Sequence, residues 1–530
     1  MANITRRTAL TTALAAAAAA PARAAGSDNT IRFGLAVERP NSLDPAVSIQ
    51  GADNHITRQI FNAFLDSPYG TFDLDPKGLV MEAAESWEMA PDSRSFTLKL
   101  REGMMFHKGF GEATAEDAKF TIDRIRDPAT GSQFRIFFSD VADVQVLDKY
   151  RFRINLKRPN PTFYATCLIA RGSLLVSKKA VEQLGQGHRR NPVGTGAFEF
   201  EAIDNERGVI LKPFKDFHGA KPGVAAIEFR YAADSTARTL GFLKGQLDII
   251  EGIRLPGWAE DIRKQAPKAA FDFTRPGSQN IIAFNTTRKP FDDVRVRRAI
   301  RFAIDRNVFK EAYGELYGDI WGVNPPQYPG AFQHNQLPED LQYDYNPAKA
   351  KALLAEAGFA RGLTFETYIS QREDYQGIMI LIQEMLRKVG VDMKLRTVDH
   401  TAYHTDNLRD QNMFPMNSET TAPVGTSLLL TYYQKAAEVR ADGKGGRNYS
   451  HYGAAIPGVD DLIEKVLDEP DLQRRQALTR DVELKILRDM PAFNAMSMHW
   501  IYVRNPALDL GYQIRASYAY FTLAKAKFIA

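Results

Sequence analysis

Two alternating strands joined by one helix, within residues 363–395, constrain the fold of this chain more than any other segment. Residues 363–369 alternate apolar and polar side chains, as a half-buried strand does. The apolar spacing of residues 375–389 is helical, and residues 391–395 alternate again. Connections this short require a right-handed crossover and a parallel pair of strands. The sequence therefore predicts an α/β fold.

Helix signals outside this unit support the same fold class. Asn346 and Pro347 suit the cap and the first position of a helix over residues 348–357, and Gly358 suits its left-handed end. Helical and strand patterns alternate over the rest of the chain, which is typical of α/β proteins.

The length and the charge set limits on organisation and partners. At 530 residues the chain exceeds the ~250–300 residues at which one hydrophobic core stops growing, so two large lobes or three subdomains are expected. The net charge is +4, and the first 24 residues carry three arginines, which leaves a nearly neutral body. We therefore expect neither nucleic acid nor an anionic membrane surface as a partner.

Residues 1–24 have the layout of a signal peptide. Arg6 and Arg7 precede a short Ala/Leu run, and residues 22–24 form a small-x-small cleavage signal. The paired arginines resemble a twin-arginine signal, although Ala9 stands where a bulky residue is usual and leaves the Sec route open. The apolar run is shorter than the ~20 residues that span a bilayer. We expect a periplasmic, exported protein without a membrane anchor.

Cys167 is the single cysteine of the chain and lies in an apolar stretch. It has no partner for an intramolecular disulfide, so a buried, inert thiol is predicted. It also lies far from the cleavage signal, which excludes a lipid anchor through a cysteine at that point.

Motifs of enzymes are scarce. Metalloprotease, nucleophile-elbow, Walker A and Cys-x-x-Cys patterns are absent from the sequence. His400 and His404 would share one helix face and could bind a metal, but a solvated loop is the interpretation preferred for residues 399–406. Asp292 and Asp293 precede a helical pattern and are interpreted as caps. We expect no enzyme activity, no catalytic residues, no metal site and no cofactor.

A series of short motifs, in order along the chain, resembles the family 5 extracellular solute-binding proteins, which include the dipeptide- and oligopeptide-binding proteins of ABC importers. The matching segments are residues 43–45, 84–88, 96–103, 106–109, 114–118, 192–198, 284–286, 290–299, 305–306, 459–463 and 471–475. Ala197 stands where the family usually has proline.

The resemblance implies a two-lobed periplasmic binding protein fold with three subdomains and an interlobe ligand cleft. The implied parts are a first lobe of residues 25–60, 185–280 and 495–530, an inserted subdomain of residues 61–184, and a second lobe of residues 281–494. Within these motifs, His107 is expected to be packed or hydrogen-bonded rather than to contact ligand. Gly194 and Gly196 are expected to permit a tight backbone path near the interlobe strands.

The resemblance also implies where a ligand would bind. Peptide-binding members hold the ligand's ammonium group with an aspartate, and Glu419 falls at that position, although the neighbouring tryptophan and tyrosine of the family are missing. Tyr368 and Gln371 follow from the parallel strands, because ligands lie beyond the carboxyl ends of such strands. The predicted ligand contacts are Glu419, Asn417, Thr420, Arg39, Asn41, Tyr368 and Gln371.

The function that follows is a substrate-binding component of an ABC importer. It would capture a peptide or a similar small solute by hinge closure and deliver it, as a monomer, to the permease subunits and their ATPases. The alternatives are the same role for a sugar, an opine or a metal chelate, and an exported hydrolase.

Overall fold

The computed structural model describes residues 28–48, 51–71, 73–169, 174–515 and 521–529. The predicted signal peptide lies outside these residues. Within them, no helix is long and apolar enough to cross a membrane. Helices and strands alternate along the described chain, so the predicted mixture of the two is confirmed.

The main helices are α1 (Gly51–Ile60), α2 (Ala115–Arg126), α3 (Lys178–Leu184), α4 (Ser235–Leu243), α5 (Trp258–Gln265), α6 (Val294–Ala303), α7 (Arg306–Tyr313), α8 (Pro347–Glu356), α9 (Glu373–Arg387), α10 (His400–Leu408), α11 (Thr426–Tyr432), α12 (Asp460–Asp468) and α13 (Leu472–Asp489). The strands are β1 (Thr30–Leu35), β2 (Leu65–Asp66), β3 (Val80–Met81), β4 (Ala84–Met89), β5 (Ser95–Leu100), β6 (Met105–Phe106), β7 (Gly111–Glu112), β8 (Val141–Val146), β9 (Arg151–Leu156), β10 (Phe198–Asp204), β11 (Gly208–Pro213), β12 (Ala226–Tyr231), β13 (Ile249–Glu251), β14 (Ala270–Ala283), β15 (Tyr317–Gly318), β16 (Leu363–Ser370), β17 (Val391–Val398), β18 (Met416–Glu419), β19 (Ala492–Arg504), β20 (Leu508–Asp509) and β21 (Lys527–Phe528).

The largest sheet has nine strands in the order β10-β11-β12-β1-β13-β19-β14-β18, with β15 also paired to β19. Strand β1 runs parallel to β12 and β13, and the other pairs are antiparallel. The long strands β14 and β19 pair from Ala270–Arg504 at one end to Ala283–Ala492 at the other. They therefore join the β1 half of the sheet to the β18 half.

The strand–helix–strand unit that the sequence predicts is confirmed. Strands β16 and β17 pair in parallel along their full length, with Leu363 opposite Val391 and Ser370 opposite Val398. The preceding helix is capped by Asn346, whose Oδ1 accepts from the backbone N–H of Lys349 at 2.9 Å. The predicted role of Asp293 is confirmed too, since it caps α6 by accepting from the backbone N–H of Arg295.

Buried apolar side chains form separate cores. One core surrounds β1 and α1. A second is built mainly from residues 64–193 together with Ala46. Two more cores are built from residues between 242 and 503. Cys167 belongs to the second core, and burial raises the pKa of its thiol, as predicted for an inert cysteine. The subdomain boundaries given by the resemblance stay predictions.

His107 is a buried structural histidine, which confirms the sequence-based interpretation. Its Nε2 donates to the carbonyl of Gly196 at 2.9 Å, and its Nδ1 accepts from the backbone N–H of Gly194 at 3.4 Å. Both glycines lie against the end of α1, which confirms the predicted tight backbone path, and their closeness to the interlobe strands stays a prediction. A Cβ on Gly194 would lie 2.1 Å from the carbonyl oxygen of Ile60.

Replacing Gly194 by alanine is expected to lower the free energy of unfolding by about 2 kcal/mol, because the backbone must move to admit a methyl group. Urea unfolding measures the loss. Gly187→Ala is the matched control, since a Cβ there meets nothing within 4 Å. Equal midpoints for the two variants would contradict the close packing of this segment against α1.

The stability of the fold is expected to fall as the pH drops from 6.5 to about 4. Desolvation lowers the pKa of His107 from 6.5 to about 4, so the unfolded chain takes up this proton first. The group therefore has no pH-linked effect on stability above pH 6.5, and between pH 6.5 and about 4 it lowers the free energy of unfolding by up to ~1.4 kcal/mol per pH unit. Urea unfolding between pH 8 and pH 4.5 should show a shallower pH slope for His107→Gln. An unchanged slope would contradict a neutral buried imidazole.

Candidate functional site

Strand β18 carries the main predicted ligand residue to the place where two cores meet. It pairs with β14, with Glu419 opposite Gln279. Directly after the strand, Ala422 and Val424 pack into the core that residues 64–193 build. Glu419 therefore lies at the junction between the large sheet, at its β18 edge, and the core of the predicted inserted subdomain.

Glu419 is not a free carboxylate. Its Oε2 forms an ion pair with Nη1 of Arg447 and accepts from the hydroxyl of Tyr432 at 2.9 Å. The side chain of Glu419 is 17% exposed and that of Arg447 is 41% exposed. The carboxylate of Glu419 raises the pKa of Arg447 above its usual range. The more accessible charge at this place is therefore the guanidinium, which sequence reasoning missed.

Asn417 and Thr420 support this arrangement. Asn417 is buried, and its Nδ2 donates to the hydroxyl of Tyr432, which in turn donates to Glu419. The hydroxyl of Thr420 lies 2.9 Å from that of Ser278 on β14. Both side chains are thus engaged in fixing β18 and its neighbours.

Tyr368 and Gln371 lie at the carboxyl end of the parallel strands, as predicted, but outside the contacts of Glu419. Tyr368 is half-buried with its ring 5.2 Å from the guanidinium of Arg396. Gln371 is exposed, and its Nε2 donates to Asp399 at 3.3 Å.

Arg39 and Asn41 lie on the loop that follows β1, and both are exposed. Asp53 fixes this loop by accepting from the backbone N–H groups of Asn41 at 2.8 Å and Ser42 at 3.3 Å. Among the described residues, no hydrogen bond links Arg39 or Asn41 to the Glu419 and Arg447 pair.

The segment with two histidines is a helix, so the predicted solvated loop is wrong. Asp399 caps it by accepting from the backbone N–H groups of Thr401 and Ala402, which stabilises the first turn. The rings of His400 and His404 lie 4.6 Å apart. Desolvation lowers the pKa of both imidazoles to about 4. Over the residues that the structure describes, no group of three or more His, Cys, Asp or Glu could hold a metal.

Two ion pairs connect parts of the chain that the resemblance assigns to different lobes. Arg254 donates to Asp374 at 2.7 Å, with its guanidinium 4.1 Å from the ring centre of Trp500 on β19. Arg158 donates to Glu464 at 2.7 Å. If the predicted boundaries hold, both pairs link the two lobes.

A family profile decides the identification. The profile described as bacterial extracellular solute-binding proteins, family 5 Middle, matches residues 78–437. This chain belongs to that family. It is therefore a solute-binding protein of ABC importers, and the resemblance predicted from the motifs is confirmed.

Family 5 relatives and solved structures agree over most of the chain. The dipeptide-binding protein of Escherichia coli (strain K12) is 25% identical over 484 residues, 86% of each protein. The structure of MoaA from A. tumefaciens R10 in complex with mannopinic acid has a TM-score of 0.83 at 26% identity, covering 94% of this chain and 99% of MoaA. DppA from Helicobacter pylori, in complex with the peptide STSA, has a TM-score of 0.78 at 23% identity over 94% and 98% of the two chains. The periplasmic binding protein fold is confirmed, and the family and these relatives are binding proteins rather than enzymes.

Proposed function

We propose that this family 5 protein captures a small amino-acid-derived solute that carries a carboxylate, and delivers it to the permease subunits of an ABC importer. The ligand would bind between the lobes and shift the open–closed equilibrium, because only the closed state makes both sets of contacts. We propose that the protein has no enzymatic activity.

One observation carries the ligand class: Arg447 is the more accessible member of its ion pair with Glu419 at the lobe junction. A guanidinium binds carboxylates through paired, charge-assisted hydrogen bonds. Glu419 holds this guanidinium in place and is itself fixed by the hydroxyl of Tyr432, which reduces the entropy lost on binding. The structural relative MoaA is in complex with an acid, mannopinic acid, which supports the same class.

A peptide is the second candidate, favoured by the dipeptide-binding relative and by the position of Glu419. A peptide's ammonium group would have to compete with Arg447 for the carboxylate of Glu419. A peptide that also presents its terminal carboxylate to Arg447 would satisfy both charges. A neutral sugar would use neither charge, and a metal chelate would bind through its acidic groups.

Several features of the proposal come from the sequence. The proposed ligand contacts besides Glu419 are Asn417, Thr420, Arg39, Asn41, Tyr368 and Gln371. The proposed location is the periplasm, after export through the twin-arginine or the Sec route, and the proposed state is a monomer. The two-lobe boundaries at residues 60, 184, 280 and 494 are proposed with them.

A thermal-shift panel tests the ligand class. The purified protein is mixed with di- to pentapeptides, opine-like acids, sugars and metal chelates. A ligand at 100 times its dissociation constant adds ~2.7 kcal/mol of stability, which is a shift of several degrees. We expect the shifts to be confined to solutes with a carboxylate. A shift with neutral sugars alone would overturn the proposed class, and turnover of chromogenic substrates would overturn the absence of catalysis.

A further inference from the structure

A small cavity lies where α6 and α7 meet β19. Its polar and aromatic walls include Arg301, Arg306, Trp321, Tyr343, Tyr433 and Asn494. None of these residues belongs to the Glu419 and Arg447 site, so the cavity is separate from the proposed ligand cleft.

Two guanidinium groups face this cavity without an anionic partner. Arg301 is 3% exposed, and among the described residues its buried Nη1 has no hydrogen-bond partner. The Nε of Arg306, a half-buried residue, has none there either, while its Nη2 donates to the carbonyl of Ile320 at 3.5 Å. Among the described residues, neither arginine has a carboxylate oxygen within 4.0 Å. Burial, with the repulsion of Arg306, lowers the pKa of Arg301 well below its usual range.

Aromatic rings compensate for part of this charge. The guanidinium of Arg301 lies 5.8 Å from the ring centre of Tyr343 and 6.0 Å from that of Phe493. The guanidinium of Arg306 lies 4.4 Å from the ring centre of Trp321. Contacts of this kind stabilise a cation weakly, and they supply no acceptor for an N–H group.

The carboxylates nearby are engaged elsewhere. Asp344 is exposed and bonded to His334 at 2.8 Å. Asp319 accepts from a tyrosine hydroxyl at 2.7 Å. Glu483 accepts from the backbone N–H of Val323 at 2.9 Å. One buried and one half-buried guanidinium with unpaired donors therefore line the same cavity, and no carboxylate of the described chain pairs with either.

We propose that this cavity binds a small monovalent inorganic anion of the chloride type, held by the unpaired guanidinium donors of Arg301 and Arg306. A buried charge is tolerated when it is paired and hydrogen-bonded, and a halide supplies the missing charge and acceptor. The cavity has room for about one small occupant, so sulfate and phosphate do not fit. The site stabilises the packing of α6 and α7 on β19 and acts independently of the solute in the cleft.

Bromide in crystals of the full protein locates the anion directly. Its anomalous signal is expected as a peak inside the cavity, within hydrogen-bonding distance of the guanidinium of Arg301 or of Arg306. The competing occupant is a water molecule that donates to Oδ1 of Asn494, an acceptor with no partner among the described residues. Density for water with no anomalous peak in crystals soaked in bromide would overturn the proposal.

Thermal unfolding in chloride and in gluconate, at equal ionic strength, supplies a second readout. We expect chloride to raise the midpoint saturably for the unaltered protein and for Arg295→Met. Arg295 is the matched control on the same helix, because it is exposed and pairs with Asp293 at 2.6 Å, away from the cavity walls. Arg301→Met should lose the chloride-specific shift. If Arg301→Met does not fold, Arg301→Lys is measured in its place. The same midpoint in both salts for the unaltered protein would contradict a chloride site.

Discussion

Arg58→Met is expected to lower the free energy of unfolding by about 3–5 kcal/mol, because it leaves two buried carboxylates without their cation. Arg58 Nη2 forms ion pairs with Asp66 and with Glu82, the latter at 2.5 Å, and Nη1 donates to Glu82 at 3.1 Å. The side chains of Arg58 and Glu82 are 4% and 3% exposed. Urea unfolding measures the loss.

The expected loss is large because water cannot replace the missing partner. Burial, with the charge of Glu82 nearby, raises the pKa of the Asp66 carboxyl even with Arg58 in place. Adding Glu82→Gln to Arg58→Met removes one of the stranded charges and should recover part of the stability.

The control for this prediction is Arg151→Met. Arg151 pairs with Asp148 at 2.5 Å, but its side chain is 58% exposed. An exposed pair of this kind contributes about 0–1 kcal/mol, so the unfolding midpoint should change little. Equal losses of stability in Arg58→Met and Arg151→Met would show that Arg58, Asp66 and Glu82 do not form a stabilising network of charges.

Arg447→Met is expected to weaken binding of a carboxylate-bearing solute about 30-fold or more, equivalent to ~2 kcal/mol or more. The physical reason is the loss of the cation that meets the solute's acid group, together with a stranded carboxylate on Glu419. Calorimetric titration with the solute identified by the thermal-shift panel measures the change.

Glu419→Gln separates the two ligand classes. For an acid without an ammonium group it frees Arg447 and should leave the affinity equal or higher. For a peptide held through its ammonium group the affinity should fall instead. Lys444→Met is the matched control, since Lys444 is an exposed cation in the same loop, and it should bind as the unaltered protein does. A normal affinity in Arg447→Met would remove this guanidinium from the site.

Local patterns explain what the sequence could predict. Residues 346–398 carry their caps, periodicities and glycine ends within a few residues of each other, so each element is specified by its neighbours. His107 was predicted as structural, and its partners Gly194 and Gly196 belong to a motif that the same resemblance identified. The order of many weak motifs gave the family, which physical chemistry alone does not provide.

Pairing between distant parts of the chain explains which contacts the sequence could not predict. Arg447 lies 28 residues after Glu419 in a glycine-containing loop, and nothing in the local pattern shows that the two meet. The helix from His400 to Leu408 has weak periodicity, so its cap Asp399 was the available signal. Arg254 and Trp500 come together only because β13 and β19 are neighbours in the sheet.

Small-angle X-ray scattering tests the central claim, capture of a solute by closure of two lobes. Arg158 donates to Glu464, and the proposed boundaries assign these two residues to different lobes. With the identified solute, the radius of gyration should be smaller than without it. Identical curves in both conditions, at a solute concentration that saturates binding, would contradict capture by closure.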